Sequence, residues 1–104
     1  MPAINSRVII PLAVIRDFSR RWKITEFSLF GSILREDFGP ESDVDVLVSF
    51  EESAGWSLFD LVNMEAELEE IFGREVDLVE KDSLRNPFRR HAIMSSREVI
   101  YATG

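Results

Sequence analysis

A small mixed β-sheet flanked by helices, an α/β (α+β) fold, is what this sequence predicts, and three observations predict it. Residues 26–30, 43–50 and 75–79 are short runs in which apolar and polar residues alternate, as strands do. Longer stretches with apolar residues at helical spacing precede, separate and follow them. Gly, Pro and capping residues divide the two kinds of segment, so helices and strands intermix as they do in a layered fold. The 104 residues are 45% hydrophobic and 30% charged, which suits one compact core and excludes a disordered chain. One domain spanning 1–104 is expected.

The elements follow in order. A first helix is expected from Ile10 to Trp22, where Pro11 suits the first turn and Ile15, Phe18 and Trp22 form the apolar stripe. Glu26–Phe30 is a strand, Gly31-Ser32 ends it, and 33–37 has room for about one helical turn. Gly39-Pro40 marks a turn before the second strand, Asp43–Phe50, with Val44, Val46 and Val48 on one face. Ser57 and Asp60 form a capping pattern that opens a helix to Phe72, and Gly73 stops it. A third strand over 75–79, a helix over 88–96 introduced by Asn86-Pro87, and a short strand over 98–102 complete the order. The helix at 57–72 is apolar over more than half its circumference, wider than one buried face requires. Contact with another chain is expected there, with Trp56 and Phe59 as exposed candidates.

Composition narrows the function classes. No apolar run approaches the ~18 residues of a membrane span, and Met1-Pro2-Ala3 opens no secretory signal, so a cytoplasmic place is expected. There is no cysteine and one histidine, His91, which excludes disulfides and thiolate or multi-histidine metal sites. The net charge of −7 is unevenly spread: residues 36–82 hold 16 of the 19 acids and sum to −14, against +4 before them and +3 after. An acidic middle between basic ends can hold cations and phosphates side by side.

The chemistry-bearing stretch is Gly31-Ser32-Ile33-Leu34-Arg35 followed by Ser42-Asp43-Val44-Asp45. Strand residues two apart share a face, so Asp43 and Asp45 project together, opposite the valines that seek the core. Two carboxylates so close repel unless a cation lies between them, and hard cations such as Mg²⁺ take oxygen ligands. If the third strand lies beside the second, Asp77 adds a third carboxylate, able to hold metal or take a proton from a hydroxyl. Gly31 admits close backbone approach, the N–H groups of the next turn suit phosphate, Ser32 adds a hydroxyl, and Arg35 lies one turn on. That combination serves phosphoryl and nucleotidyl transfer.

These residues, with Val76-Asp77-Leu78-Val79, resemble the minimal nucleotidyltransferases of the polymerase-beta superfamily over roughly residues 10–102. The resemblance implies a polymerase-beta-like core, Asp43, Asp45 and Asp77 as ligands of two Mg²⁺ ions, and Asp77 also as general base. It implies Gly31, Ser32 and Arg35 as binders of a nucleoside triphosphate, with ATP as substrate. Leu34 and Glu36 stand where the family often has Ala and Gly. Domains this small resemble antitoxins whose partner is an all-helical HEPN ribonuclease toxin, and the implied activity is AMP transfer to a tyrosine of that toxin. Silencing by direct binding with the metal site idle is the alternative. A hetero-oligomer is implied, with a homodimer as the other assembly, and neither membrane nor direct nucleic-acid binding is expected. Arg85, Arg89, Arg90 and Arg97 read as a solvated face, Lys81 and Asp82 as loop, His91 as structural or exposed, and Trp22 as core. Tyr101 is the only tyrosine of the chain itself.

Overall fold

A computed structural model describes residues 10–35, 39 and 41–103. The elements are α1 (Leu12–Arg21), β1 (Ile24–Phe30), a 3₁₀ turn (Gly31–Leu34), β2 (Val44–Phe50), α2 (Leu58–Phe72), β3 (Val76–Glu80), a second 3₁₀ turn (Lys81–Ser83), α3 (Pro87–Ser96) and β4 (Glu98–Ala102). The four strands form one sheet in the order β3-β2-β1-β4. β1 runs antiparallel to both β2 and β4, while β2 and β3 are parallel and joined through α2, so the sheet is mixed as expected. Among the described residues no helix is long and apolar enough to cross a membrane.

The period-two pattern decides which face each residue takes. Val44, Val46 and Val48 join Phe27 and Leu29 of β1, Ile15 and Phe18 of α1, and Met64 and Leu68 of α2 in the larger core. The alternate residues face the other way, where Phe30, Leu47, Leu84 and Ile93 form a smaller cluster beneath α3. The sheet therefore carries α1 and α2 on one side and α3 on the other. Packing of Phe27 edge-on against Phe18, at 6.3 Å between ring centroids, ties α1 to the sheet centre.

Helix ends follow local chemistry. α2 opens with a complete capping box: the Asp60 N–H donates to Ser57 Oγ at 3.3 Å and the Ser57 N–H donates to the Asp60 carboxylate at 2.9 Å. Gly73 closes it in the left-handed region, at φ +70°. α1 starts two residues later than its apolar stripe suggests, because Pro11 serves as the N-cap, and Trp22 caps the other end. β1 begins at Ile24, two residues before the alternation becomes visible, and Ile24 is buried. The turn expected over 33–37 forms earlier, at 31–34. Glu36, Asp37 and Pro40 lie outside the described residues, so the expectation for Glu36 and the second half of the Gly39-Pro40 turn are not addressed by this structure. Lys81 and Asp82 form part of a 3₁₀ turn rather than irregular loop.

Candidate active site

Parallel pairing of β2 with β3 makes Asp45 and Asp77 direct register partners. On its other side Asp45 pairs with Phe30, the last residue of β1. Because Val44 and Val46 must enter the larger core, Asp45 points to the opposite face, and Asp77 follows for the same reason between Val76 and Leu78. Two carboxylates thus stand side by side near the starts of two neighbouring strands.

The end of β1 is shaped around this pair. Gly31 has φ +73°, in the left-handed region, and a Cβ there would overlap the Asp45 carboxylate. Glycine is required twice over, once for the backbone and once for the space. Ser32 ties the turn to β2: its hydroxyl donates to the Asp43 carbonyl at 3.2 Å, and its N–H donates to the Asp45 carboxylate. Both donors that sequence reasoning assigns to phosphate are therefore engaged with the aspartates.

Burial raises the Asp45 pKa above the usual carboxylate range, and the charges of Asp77 and Asp43 raise it further. The Ser32 N–H and the positive charge of Arg35 oppose that rise without cancelling it. Asp43 lies one residue before β2 and is exposed, as are Asp77 and Arg35. All three candidate ligands offer hard oxygen donors, and a cation would relieve the like-charge strain on Asp45, so the donor chemistry fits Mg²⁺. Among the described residues, however, no three acidic or histidine side chains converge closely enough to surround an ion as they stand. The compact triad expected from the strand spacing is thus looser. Asp43 precedes the regular strand, and three like charges have no reason to close on one another.

Sequence reading passed over Arg74. Its Nη1 donates to the carbonyls of Gly39 and Ser42, at 2.9 and 3.1 Å, while Ser42 Oγ accepts the Gly39 N–H at 3.0 Å. The Val44 N–H donates to the Glu75 carbonyl at 2.9 Å, joining the same loop to the approach of β3. The approach to Asp43 and Asp45 is therefore clamped from the residue that follows α2. Its one sequence signal is position: Arg74 is one of two bases in the acidic middle, directly after a helix-stopping glycine.

The remaining charged residues divide. Arg85, Arg89 and His91 are exposed as expected, whereas Arg90 Nη1 donates to the Lys81 carbonyl at 3.0 Å. Arg97 corrects the solvated-face reading: its Nε pairs with Glu26 at 2.9 Å and it donates to the Met94 carbonyl at the end of α3. Burial acts to raise the Glu26 pKa, but Arg97, joined by Lys81 and the Ser28 hydroxyl, outweighs it and the net shift is downward. Trp56 corrects another expectation, since it is half-buried, edge-on to Trp22 at 5.1 Å, and donates to the Trp22 carbonyl at 2.7 Å. Phe59 is exposed as expected. Tyr101 is half-buried in β4 opposite Phe27.

Residues 13–100 match the model of the nucleotidyltransferase domain family. The chain is 37% identical over 86 residues to the protein adenylyltransferase MntA of Thermococcus cleftensis, covering 83% of this chain and 82% of that one. A crystal structure of a toxin–antitoxin complex with AMP-PNP shares the fold with a TM-score of 0.73 at 19% identity, over 90% of this chain and 75% of that one. The MNT antitoxin complexed with a tri-AMPylated HEPN toxin of Shewanella oneidensis has a TM-score of 0.64 at 19% identity, over 88% and 70% of the two chains. This chain is therefore a member of the nucleotidyltransferase domain family, of the protein adenylyltransferase type.

Proposed function

We propose that this protein transfers AMP from ATP, with Mg²⁺, to a tyrosine hydroxyl of a partner HEPN ribonuclease toxin and so acts as its cytoplasmic antitoxin. The observation that carries the reading is the side-by-side placement of Asp45 and Asp77 against a glycine turn packed so closely that a side chain at Gly31 would overlap the Asp45 carboxylate. The AMP-modified toxin bound to a structurally similar antitoxin supports the choice of partner and group transferred.

In this reading Asp43, Asp45 and Asp77 would hold the metal, which when bound would supply positive charge to offset the negative charge that builds during transfer. Asp77, exposed at the edge strand, takes the proton of the acceptor hydroxyl. The hydroxyl oxygen bonds to the α-phosphorus as the bond from that phosphorus to the bridging oxygen of pyrophosphate breaks, and pyrophosphate leaves. Gly31 lets backbone and phosphate approach, Ser32 exchanges its bonds to Asp43 and Asp45 for phosphate oxygens, and Arg35 adds positive charge.

The test is the intact mass of the neighbouring gene's product, the proposed HEPN partner, after incubation with the enzyme, ATP and Mg²⁺. A gain of whole AMP units, lost with Asp43→Asn/Asp45→Asn, is expected. A complex that forms with no mass gain would refute the transferase role and leave neutralisation by direct binding.

A further inference from the structure

A second surface, remote from the carboxylates, lies where the start of α2 meets the far ends of β2 and β3. Two adjoining hollows there share Leu61 and Glu80. The first, about 270 Å³, has Phe50 and Trp56 in its wall and is edged by Glu51, Glu52 and Asp82. The second, about 170 Å³, runs between Leu58, Val62 and Glu65 of α2 and Leu78 of β3. Beside them stand apolar side chains with no cover among the described residues: Leu58 is 75% exposed, Phe59 81% and Val62 59%. A soluble surface seldom leaves three such residues adjacent without use.

The lining identifies the occupant. Every charged residue that edges the two hollows is an acid: Glu51, Glu52, Glu65, Glu80 and Asp82. An extended strand is a poor fit, because β3 is an edge strand whose Val76 and Leu78 N–H groups are already taken by Glu69 and Glu65, at 3.3 and 3.4 Å. The floor is prearranged, since Trp56 is fixed by its bond to the Trp22 carbonyl. We propose that this groove is the docking site for an amphipathic helix of the HEPN partner, whose apolar side chains enter between α2 and β3 while flanking Lys or Arg meet the acidic rim. The proposal rests on the function given above and adds where the partner sits. From Asp45 to Phe50 the strand advances about 17 Å, and the groove lies on the α2 side of the sheet.

The experiment measures the affinity of the HEPN neighbour for the full-length protein by calorimetry. Phe59→Asp and Val62→Asp are expected to weaken binding about thirty-fold or more, as loss of central anchors does. Glu51→Lys/Glu52→Lys is expected to weaken it less and to remove most of its salt dependence. Val14→Asp on α1 and Phe88→Asp on α3, exposed elsewhere, are expected to bind as wild type, and thermal melts confirm that each variant folds. Unchanged affinity in the α2 variants overturns the surface while leaving AMP transfer standing. A dimer of this chain that the α2 variants dissociate overturns it too, because the occupant is then a second copy. If the wild type binds no HEPN neighbour, the proposed function fails and this proposal with it.

Discussion

Replacing Asp45 by Asn should abolish activity and yet raise stability in the absence of Mg²⁺. Asp45 and Asp77 are register partners on neighbouring strands, which sets their carboxylates roughly 5–6 Å apart. A repulsion across that gap is ~3 kcal/mol at an effective dielectric of 20 and ~0.7 kcal/mol in water. Asp77 is exposed, so screening places the value near the lower limit, about 1 kcal/mol. Asn keeps an oxygen to accept the Ser32 N–H, removes the repulsion from Asp77 and Asp43, and is cheaper to bury than a carboxylate. A net gain of about 1 kcal/mol corresponds to a melting temperature higher by about 4–8 °C in a domain of this size.

The sign of the pH dependence follows from the same cause. The folded protein holds a proton on Asp45 more tightly than the unfolded chain does, because burial and the neighbouring acids raise its pKa. The contribution of Asp45 to wild-type stability therefore falls as pH rises from the ordinary aspartate value through the raised folded one. The advantage of Asp45→Asn is full above that range and shrinks as pH falls through it. Added Mg²⁺ should raise the wild-type melting temperature and leave that of the variant nearly unchanged. Differential scanning calorimetry, at two pH values and with and without Mg²⁺, measures all of this. A variant less stable than wild type at neutral pH without Mg²⁺ would refute the electrostatic reading of the site.

Other expectations rest on different contacts. Gly31→Ala combines a left-handed backbone penalty of about 1–2 kcal/mol with displacement of the Asp45 carboxylate, so transfer should fall by far more than the few-degree drop in melting temperature implies. Arg74→Met removes the donor to both the Gly39 and Ser42 carbonyls and should weaken Mg²⁺ binding, read by titration, while the far-ultraviolet spectrum stays native. Ser19 is fully buried in α1 and, among the described residues, its hydroxyl finds no partner; Ser19→Ala should stabilise the fold by about 1 kcal/mol in urea denaturation. Arg97→Met should destabilise by about 1–3 kcal/mol by leaving the Glu26 carboxylate with the Ser28 hydroxyl and no ion-pair partner beneath α3, a loss that diminishes as acid protonates Glu26.

The parts of the molecule legible in the sequence are those governed by local rules. Alternation around Val44, Val46 and Val48 shows which face Asp45 takes, and Ser57, Asp60 and Gly73 mark both ends of α2. The pairing of Asp45 with Asp77 depended on one added assumption, that β3 lies beside β2, and the parallel register supplies it. Contacts between distant residues left little trace. Arg97 lies 71 residues from Glu26, and nothing in a helix-end arginine announces such a partner. Trp56, preceded by Glu51-Glu52-Ser53 and followed by Ser57-Leu58-Phe59, reads as part of an exposed docking face, but its indole N–H finds the Trp22 carbonyl across the fold. The Arg74 clamp is invisible for the same reason: its acceptors are backbone carbonyls, which carry no residue-specific signal. The 3₁₀ turn began early because Gly31 itself adopts the positive φ that brings Ser32 onto Asp45.

The most direct measurement uses ATP labelled in turn at the α- and γ-phosphorus, with Mg²⁺ and the purified protein proposed as the HEPN partner. Under the proposed function label enters that partner from the α position only, none enters with Asp77→Asn, and this variant still binds the partner. Label entering from the γ position, or α-label retained by Asp77→Asn at the wild-type rate, would contradict it.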